Sequence, residues 1–181
     1  MTDPRHGTRD DEFTAFVVEH GGSLLRTACL LTGDRGHGED LLQTALARTY
    51  GAWSKVRAAD EPLAYVRRLV VNAHLSWRRR LSSTEQVLEQ LPEVGGGDHQ
   101  QAHADTDEVR RALLQLSPRV RTAVVLRYFD DLSEAGTAAA MGCSRSTVNN
   151  HVTRGLAVLR TLLAPTESPT TDALTTDRSP S

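Results

Sequence analysis

Arginine is the residue type that gives this sequence its clearest binding chemistry, and it is concentrated in two segments. Residues 62–81 contain five arginines and no acidic residue, whereas residues 109–163 contain eight arginines and three acidic residues. Arginine side chains form paired hydrogen bonds with phosphate groups and with the major-groove edge of guanine. The two segments therefore suit a polyanionic partner, and the alternative is that they are ordinary solvated helix faces.

The second basic segment also contains two short predicted helices separated by a glycine. Ser133 and Ser144 are suited to cap helix N-termini, and Gly142 between them can adopt the positive φ of a tight turn. Alanines before the turn allow the two helices to cross closely, as in a helix-turn-helix. If the second helix enters a major groove, its outer side chains reach base edges and phosphates. Without a ligand, the same pattern is an ordinary helical hairpin. The side chains predicted to contact DNA are Arg145, Ser146, Thr147, Asn149, Asn150, Thr153 and Arg154.

The elements that carry these residues are predicted to be helices throughout, so the fold class is all-α. Apolar residues recur at steps of three and four, and the alternation typical of strands is nearly absent. The clearest helix begins at Pro62, because proline is tolerated at the first helical position. Gly33 and Asp34 predict a helix end followed by a new N-cap, whereas Gly21 and Gly22 should interrupt the first helix.

Composition divides the chain into five segments. Residues 11–82 and 107–163 are predicted to form two small helical domains. Residues 83–106 are acidic and include three consecutive glycines, and they cannot bury enough apolar surface to become ordered. They are therefore predicted to be a flexible linker, and residues 1–10 and 164–181 to be disordered ends. The net charge of −2 is the sum of these acidic and basic parts.

The string LRYFDDLSEAGTAAAMGCSRSTVNNHVTRGLAVLR, at residues 126–160, resembles region 4 of the bacterial sigma-70 family, of the small extracytoplasmic-function type. The resemblance implies that this domain binds the −35 promoter element through its second helix. Two residues depart from the family pattern. Gly136 replaces a residue that often completes a capping box with Ser133, and Asn149 replaces a common lysine, so the promoter preference is open.

The string HGEDLLQTALARTYGAW, at residues 37–53, resembles region 2.2 of the same family. The resemblance implies a helix that docks on the clamp helices of the polymerase β′ subunit. Gly36 and Gly38 replace better helix formers, which predicts a helix end that frays until it is docked. The implied docking residues are Asp40, Leu41, Leu42, Gln43 and Thr44.

The string PLAYVRRLVVNAHLSWRRRL, at residues 62–81, resembles regions 2.3 and 2.4, which open the duplex and read the −10 element. Basic grooves and stacking aromatic residues suit a melted strand. Trp53 and Trp77 fall on buried stripes and are predicted core residues. The −10 residues implied by the resemblance, including the loop that precedes this helix, are Lys55, Arg57, Tyr65, Arg67, Arg68, Asn72, His74, Arg78 and Arg79.

The expected protein is thus a promoter-specificity subunit, with core RNA polymerase (β′ clamp helices and β flap) and promoter DNA as partners. The resemblance also implies an anti-sigma protein as a regulator. Two modules on a flexible linker should bind promoter DNA poorly without polymerase. One alternative is a helix-turn-helix regulator that never contacts polymerase, which leaves the residues of both region 2 strings without a role. A helical interaction protein is a third interpretation, which the DNA-facing residues oppose.

Several classes of protein are not expected. Cys29 and Cys143 are isolated, which excludes a disulfide framework and a CxxC site. No hydrolase or metalloprotease motif and no phosphate-binding glycine loop occurs, so we expect no enzyme activity, cofactor or small-molecule substrate. His99 and His103 lie in a polar linker that does not favour a metal site. No long apolar stretch or secretory signal is visible, so we expect a cytoplasmic protein without membrane insertion.

Overall fold

The structure, a computed structural model, describes residues 4–85 and 104–164. All of the regular secondary structure in these two ranges is helical, which confirms the predicted all-α class. Most of the predicted linker, the tail from residue 165, and both His99 and His103 lie outside the described residues. The helices are α1 (Pro4–Thr32), α2 (Arg35–Gly51), α3 (Trp53–Val56), α4 (Pro62–Glu85), α5 (Ala104–Leu114), α6 (Pro118–Tyr128), α7 (Glu134–Met141) and α8 (Arg145–Leu162).

Helix α1 is longer than the sequence predicted, because residues 4–10 are helical and not disordered. The side chains near its start have partners on α2. Arg9 donates a hydrogen bond to the carbonyl of Tyr50 and lies over its ring, and the Tyr50 hydroxyl donates to Asp10 at 2.7 Å. The glycine pair at positions 21 and 22 does not interrupt the helix. Burial of Phe16 and Leu24 on either side of the pair offsets the helix penalty of about 1 kcal/mol per glycine.

Two predicted helix boundaries of the first module, residues 4–85, are confirmed: the one at Gly33 and Asp34, and the one at Pro62. Gly33 has φ +80°, and Asp34 accepts a hydrogen bond from the His37 amide at 2.8 Å. Helix α4 begins at Pro62 as predicted. Its apolar stripe packs inward, and Val66 and Val70 are fully buried. These contacts fix which face of α4 is left for a ligand.

The second module, residues 104–164, contains the predicted helix-turn-helix. Ser133 accepts from the Gly136 amide at 3.0 Å, and Ser144 accepts from the Thr147 amide at 3.1 Å. Gly142 between the helices has φ +63°. The two caps and the positive φ are the features that the sequence predicted for this turn.

The two modules pack against each other, although the sequence predicted separate modules. Helix α7 contacts α4, and α6 contacts α1 and α4. Buried apolar residues of both modules form one continuous core, which includes Leu31 and Val70 from the first module and Leu113 and Leu126 from the second. A positive-φ glycine takes part in this packing, since a Cβ on Gly33 would lie 2.1 Å from a methyl carbon of Leu114.

Candidate nucleic-acid interface

The outer face of α8 is the most accessible of the predicted DNA-binding surfaces. Six of its seven predicted residues are exposed, and Thr147 is half-buried. The Thr147 hydroxyl lies 2.8 Å from the hydroxyl of Ser144, so it supports the N-cap. The exposed residues are Arg145, Ser146, Asn149, Asn150, Thr153 and Arg154.

The opposite face of α8 is held close to α6. Val148 is fully buried, and Gly155 is buried where the helices cross. A Cβ on Gly155 would lie 2.6 Å from a methyl carbon of Val124 and 3.0 Å from one of Val120. Because a real Cβ is not tolerated at 2.6 Å, only glycine permits this approach. The exposed face of α8 therefore has a fixed orientation on the module.

The predicted −10 surface on α4 is only partly exposed. Arg68, Asn72 and Arg79 are exposed on one side of the helix, as their spacing predicted. Arg78 is half-buried, and its guanidinium lies over the ring of Trp77 at 5.9 Å from the centroid. Trp77 is itself half-buried, not a full core residue.

His74 is not on this surface, which corrects its predicted contact with DNA. Its side chain is fully buried, and neither ring nitrogen has a hydrogen-bond partner in the described part of the chain. Burial, followed by the charges of Arg121 and Arg78, lowers the pKa of His74 to about 4. A neutral imidazole is therefore enclosed between the two modules. The reason is its place on the helix, because it follows the fully buried Val71 and Val70 by three and four residues and shares their face.

Tyr65 is half-buried as well, and Arg67 is more deeply buried. The Arg67 Nε atom lies 3.3 Å from Asp130 Oδ2, and both side chains are almost enclosed. A cavity of about 320 Å³ separates this edge of α4 from the second module. It is lined by Ala59, Glu61, Ala64, Tyr65, Arg67 and Arg68 on one side and by Leu132, Gly136, Ala139 and Ala140 on the other.

The loop before α4 contributes two exposed basic residues, Lys55 and Arg57. Arg57 forms an ion pair with Glu12 of α1, in which Nη1 alone donates to both carboxylate oxygens, at 2.9 and 2.8 Å. Arg57 thus has a protein partner that DNA must replace.

The predicted polymerase-docking residues divide between the surface and the core of α2. Asp40, Gln43 and Thr44 are exposed, and they lie on the face opposite the buried stripe. Leu41 and Leu42 are each 8% exposed and belong to the hydrophobic core, so their predicted place on the docking surface is wrong. They hold α2 against its neighbours and thereby orient the three exposed residues.

The start of α2 does not have the loose packing that its glycines predicted. Asp34 caps the helix, and Gly38 is buried against α1. A Cβ on Gly38 would lie 2.7 Å from Cys29 Sγ and 2.9 Å from the Cys29 nitrogen. The close approach of α1 and α2 requires glycine at this position. Gly38, which departs from the family pattern in the sequence, therefore serves helix packing.

Two family models match the chain: sigma-70 region 2 matches residues 16–84, and sigma-70 region 4 matches residues 106–159. The RNA polymerase sigma-E factor of Streptomyces coelicolor is 41% identical over 149 residues, which are 82% of this chain and 84% of that protein. The chain belongs to the sigma-70 family. It is a sigma factor of the extracytoplasmic-function type, which acts in transcription initiation through regions 2 and 4 and is not an enzyme.

Other similar proteins are also sigma factors. The sigma-E factor of Streptomyces antibioticus is 42% identical over 151 residues, or 82% of this chain and 83% of the relative. The extracytoplasmic-function factor SigE of Mycolicibacterium smegmatis is 28% identical over 163 residues, or 85% of this chain and 62% of the relative. The expected family is therefore confirmed, and its name implies core RNA polymerase as a partner.

Two solved structures share the fold of this sigma factor. One is the sigma factor RpoE of Bartonella quintana in complex with the anti-sigma factor NepR, with a TM-score of 0.72 at 23% identity over 84% of this chain and 96% of that one. The other is CnrH in complex with the cytosolic domain of CnrY, with a TM-score of 0.60 at 22% identity over 85% of this chain and 88% of that one.

The sequence did not single out Arg119, which lies at the start of α6. It lines a cavity of about 500 Å³ between the modules of the sigma factor, together with Arg78, Arg79, His151 and Arg154. The run of arginines on α4, which contains no acidic residue, predicted basic residues on the α4 side of this cavity. It did not predict those on the side of the second module. In residues 4–85 and 104–164, no helix has the length and apolar character needed to cross a membrane, and no metal-binding group of three or more ligands occurs.

Proposed function

We propose that α8 reads the −35 element by entering the major groove with its exposed face. The observation that carries this proposal is the capped helix-turn-helix, in which six polar side chains share an exposed face on a helix that Gly155 holds in place. Asparagine and arginine at these positions suit adenine and guanine edges, and serine and threonine suit phosphates.

The first module is proposed to hold the melted −10 strand. Arg68, Asn72 and Arg79 on α4, with Lys55 and Arg57 in the preceding loop, supply backbone-neutralising and hydrogen-bonding groups. Tyr65 supplies an aromatic ring at the edge of the cavity. The buried His74 has no part in this contact.

The exposed face of α2 is proposed to dock on the β′ clamp helices, with Asp40, Gln43 and Thr44 as contacts. This face is polar, and it adjoins a cleft of about 410 Å³ between α2 and α4 that includes Trp77. A polar rim beside an aromatic side chain is a common composition for a protein interface. The factor acts where the polymerase is, in the cytoplasm, and we propose an anti-sigma protein as a further partner.

Run-off transcription with purified core polymerase, this protein and fragmented genomic DNA tests the function. We expect discrete start sites that are absent without the protein, preceded by shared −10 and −35 sequences. A variant with Arg145→Ala and Arg154→Ala should lose these starts, whereas the matched variant Arg160→Ala, at the other end of α8, should keep them. Specific duplex binding by the protein alone, without any transcript, would instead favour a regulator that does not use polymerase.

A further inference from the structure

The cavity of about 500 Å³ between α4, α6 and α8 has no role of its own in the proposed function, although its lining is strongly basic. We propose that it binds a polyphosphate, that is, a molecule with several linked phosphate groups. The inference does not rest on the proposed function, because it requires only the residues around the cavity. We name it the basic cavity, and its basic lining residues are Arg78, Arg79, Arg119, His151 and Arg154.

No acidic residue balances the four arginines of the basic cavity. Its lining contains neither aspartate nor glutamate. In residues 4–85 and 104–164, none of Arg78, Arg119 and Arg154 forms an ion pair with an acidic side chain. Guanidinium groups that share one space repel each other, and an anion bound among them offsets this repulsion. The cavity therefore has the electrostatic character of an anion site.

Arg78 links the basic cavity to a second, buried positive charge. The Arg78 Nε atom is buried and has no hydrogen-bond acceptor in the described part of the chain. Nearby, Arg121 is 5% exposed and donates to main-chain carbonyls, including that of Leu31 in α1 at 2.8 Å. Burial, followed by the charge of Arg78, lowers the pKa of Arg121 to about 10. Positive charge thus accumulates on the α4 side of the cavity without a carboxylate to offset it.

His151 experiences the same excess of positive charge on the side of the second module. Burial, followed by the charges of Arg119 and Arg154, lowers the pKa of its imidazole. Arg119 belongs to α6 and Arg154 to α8, so both charges act on one imidazole between them. Basic groups from three helices therefore surround one space.

The start of α6 adds main-chain donors to the basic cavity, which is also lined by Ser117, Pro118 and Val120. Ser117 is the N-cap residue but makes no side-chain hydrogen bond to the helix, whereas α7 and α8 both begin with a capping serine. The amide groups of Arg119 and Val120 are thus not capped by a side chain, and such amides at a helix N-terminus bind phosphate. The partial positive charge of this helix end adds to that of the arginines.

The size of the basic cavity favours a small polyanion over duplex DNA. Its volume lies within the range of about 300–1,000 Å³ that is typical of small-molecule sites. A rigid duplex cannot enter a recess of this size between three helices, whereas a flexible chain of phosphates can. Because each arginine can form paired hydrogen bonds with a phosphate group, four arginines suit several linked phosphates better than one.

Isothermal titration calorimetry with inorganic triphosphate, in the presence of EDTA and at constant ionic strength, tests the proposal. Arg119→Gln should weaken binding about tenfold, because the cavity loses one charged donor. Arg160→Gln removes the same charge outside the cavity lining and should change the affinity less than about twofold. Both arginines are exposed, so we expect both variants to keep the stability of the native protein.

Three outcomes of the titrations would overturn the proposal. They are the absence of triphosphate binding, equal weakening by Arg119→Gln and Arg160→Gln, and equally tight binding of sulfate at the same ionic strength. Adenosine triphosphate distinguishes two sources of linked phosphates. Tighter binding than that of inorganic triphosphate identifies a nucleotide, whereas equal or weaker binding identifies an inorganic polyphosphate, and both results support the site.

Nuclear magnetic resonance gives a local measurement at the basic cavity. The imidazole resonances of His151, assigned with His151→Gln, should shift when inorganic triphosphate is added. Those of His20 on α1, which does not line the cavity, should stay unchanged. Equal shifts at both histidines, or no shift at His151, would contradict binding in the basic cavity. A protein that binds triphosphate there but supports no promoter-directed transcription would overturn the proposed function and leave this inference intact.

Discussion

Helices α8 and α4 carry similar polar and basic side chains in different surroundings. On α8 the outer residues are exposed, and the helix is fixed from behind by Gly155 and Val148. On α4 the predicted DNA-binding residues range from exposed Arg68, through Arg67 paired with a carboxylate, to the fully buried His74. The same chemistry is therefore fully accessible on α8 but only partly accessible on α4, where Arg68, Asn72 and Arg79 are exposed and Arg67 and His74 are covered.

This difference predicts different requirements for the two proposed DNA contacts. A surface that is exposed and rigid binds with little reorganisation, whereas a surface that is paired within the protein must first exchange its partners. The −35 contact is thus expected to depend on the side chains of α8 alone. The −10 contact depends both on the side chains of α4 and on the contacts that cover them.

The largest expected effect comes from Arg121→Met, which removes the donor that joins the modules. Four main-chain carbonyls lose this partner inside the protein. We expect the free energy of unfolding to fall by about 3 kcal/mol or more, measured by urea denaturation with circular dichroism. Arg160→Met, on the exposed end of α8, should change it by less than about 0.5 kcal/mol. Equal small losses would mean that the Arg121 contact between α1 and the second module is not stabilising.

Stability measured as a function of pH tests the burial of His74 on α4. The pKa of His74 is lowered from 6.5 to about 4, chiefly by burial. Between these values the unfolded chain binds a proton that the folded chain excludes, so this contribution to stability is complete above pH 6.5 and is lost as the pH falls towards 4. The loss approaches about 3 kcal/mol.

His74→Leu should flatten this part of the stability profile, measured as the urea midpoint at each pH. The wild-type protein is the reference. Its other titratable groups are also present in the variant, so a difference between the two profiles reports on His74. Parallel profiles for the two proteins would show that His74 is accessible to protons in the folded state, contrary to its burial.

The exposed side of the comparison is tested by single substitutions on α8. Arg145→Ala and Arg154→Ala should each weaken −35 duplex binding by the polymerase complex by about 1–3 kcal/mol, roughly 5-fold to 150-fold, at fixed salt. The unfolding free energy should hardly change, because both side chains are exposed. Fluorescence anisotropy with labelled duplex measures the affinity. A large loss of stability in either variant would contradict the interpretation of α8 as a prearranged surface.

The smallest expected effect comes from the exposed ion pair of Arg57. Glu12→Gln removes the carboxylate that holds this guanidinium and should raise binding of a −10 single strand about twofold to threefold, since exposed pairs contribute about 0–1 kcal/mol. Asp11→Asn changes the net charge equally at a neighbouring exposed position and is the matched control. If both variants bind equally well, the gain reflects net charge and not the release of Arg57.

Local features of the fold were predictable because local chemistry determines them. Asp34, Ser133 and Ser144 cap helices as their residue types predicted, and Gly142 adopts the positive φ that its turn requires. The spacing of the apolar residues also identified the exposed face of α8. Each of these features depends on residues that lie within a few positions of one another. They can therefore be predicted from a single sequence.

The inter-module packing was not predictable in the same way. Apolar spacing shows that a stripe is buried but not which helix covers it, so it does not predict that α7 packs over α4. Arg121 and His74 look like surface residues by type, yet both are enclosed at the module boundary. Leu41 and Leu42 were assigned to the surface by family resemblance, although their apolar side chains are buried in the core of this chain.

The close approach of α1 and α2 has a mechanical consequence. At Gly38 the two helices touch backbone to backbone, so α2 cannot slide or rotate without moving the turn of α1 that contains Cys29. Leu31, whose carbonyl receives the Arg121 hydrogen bond, lies in that same turn. A force applied to α2 by a docked protein therefore reaches the boundary between the modules over a distance of two residues.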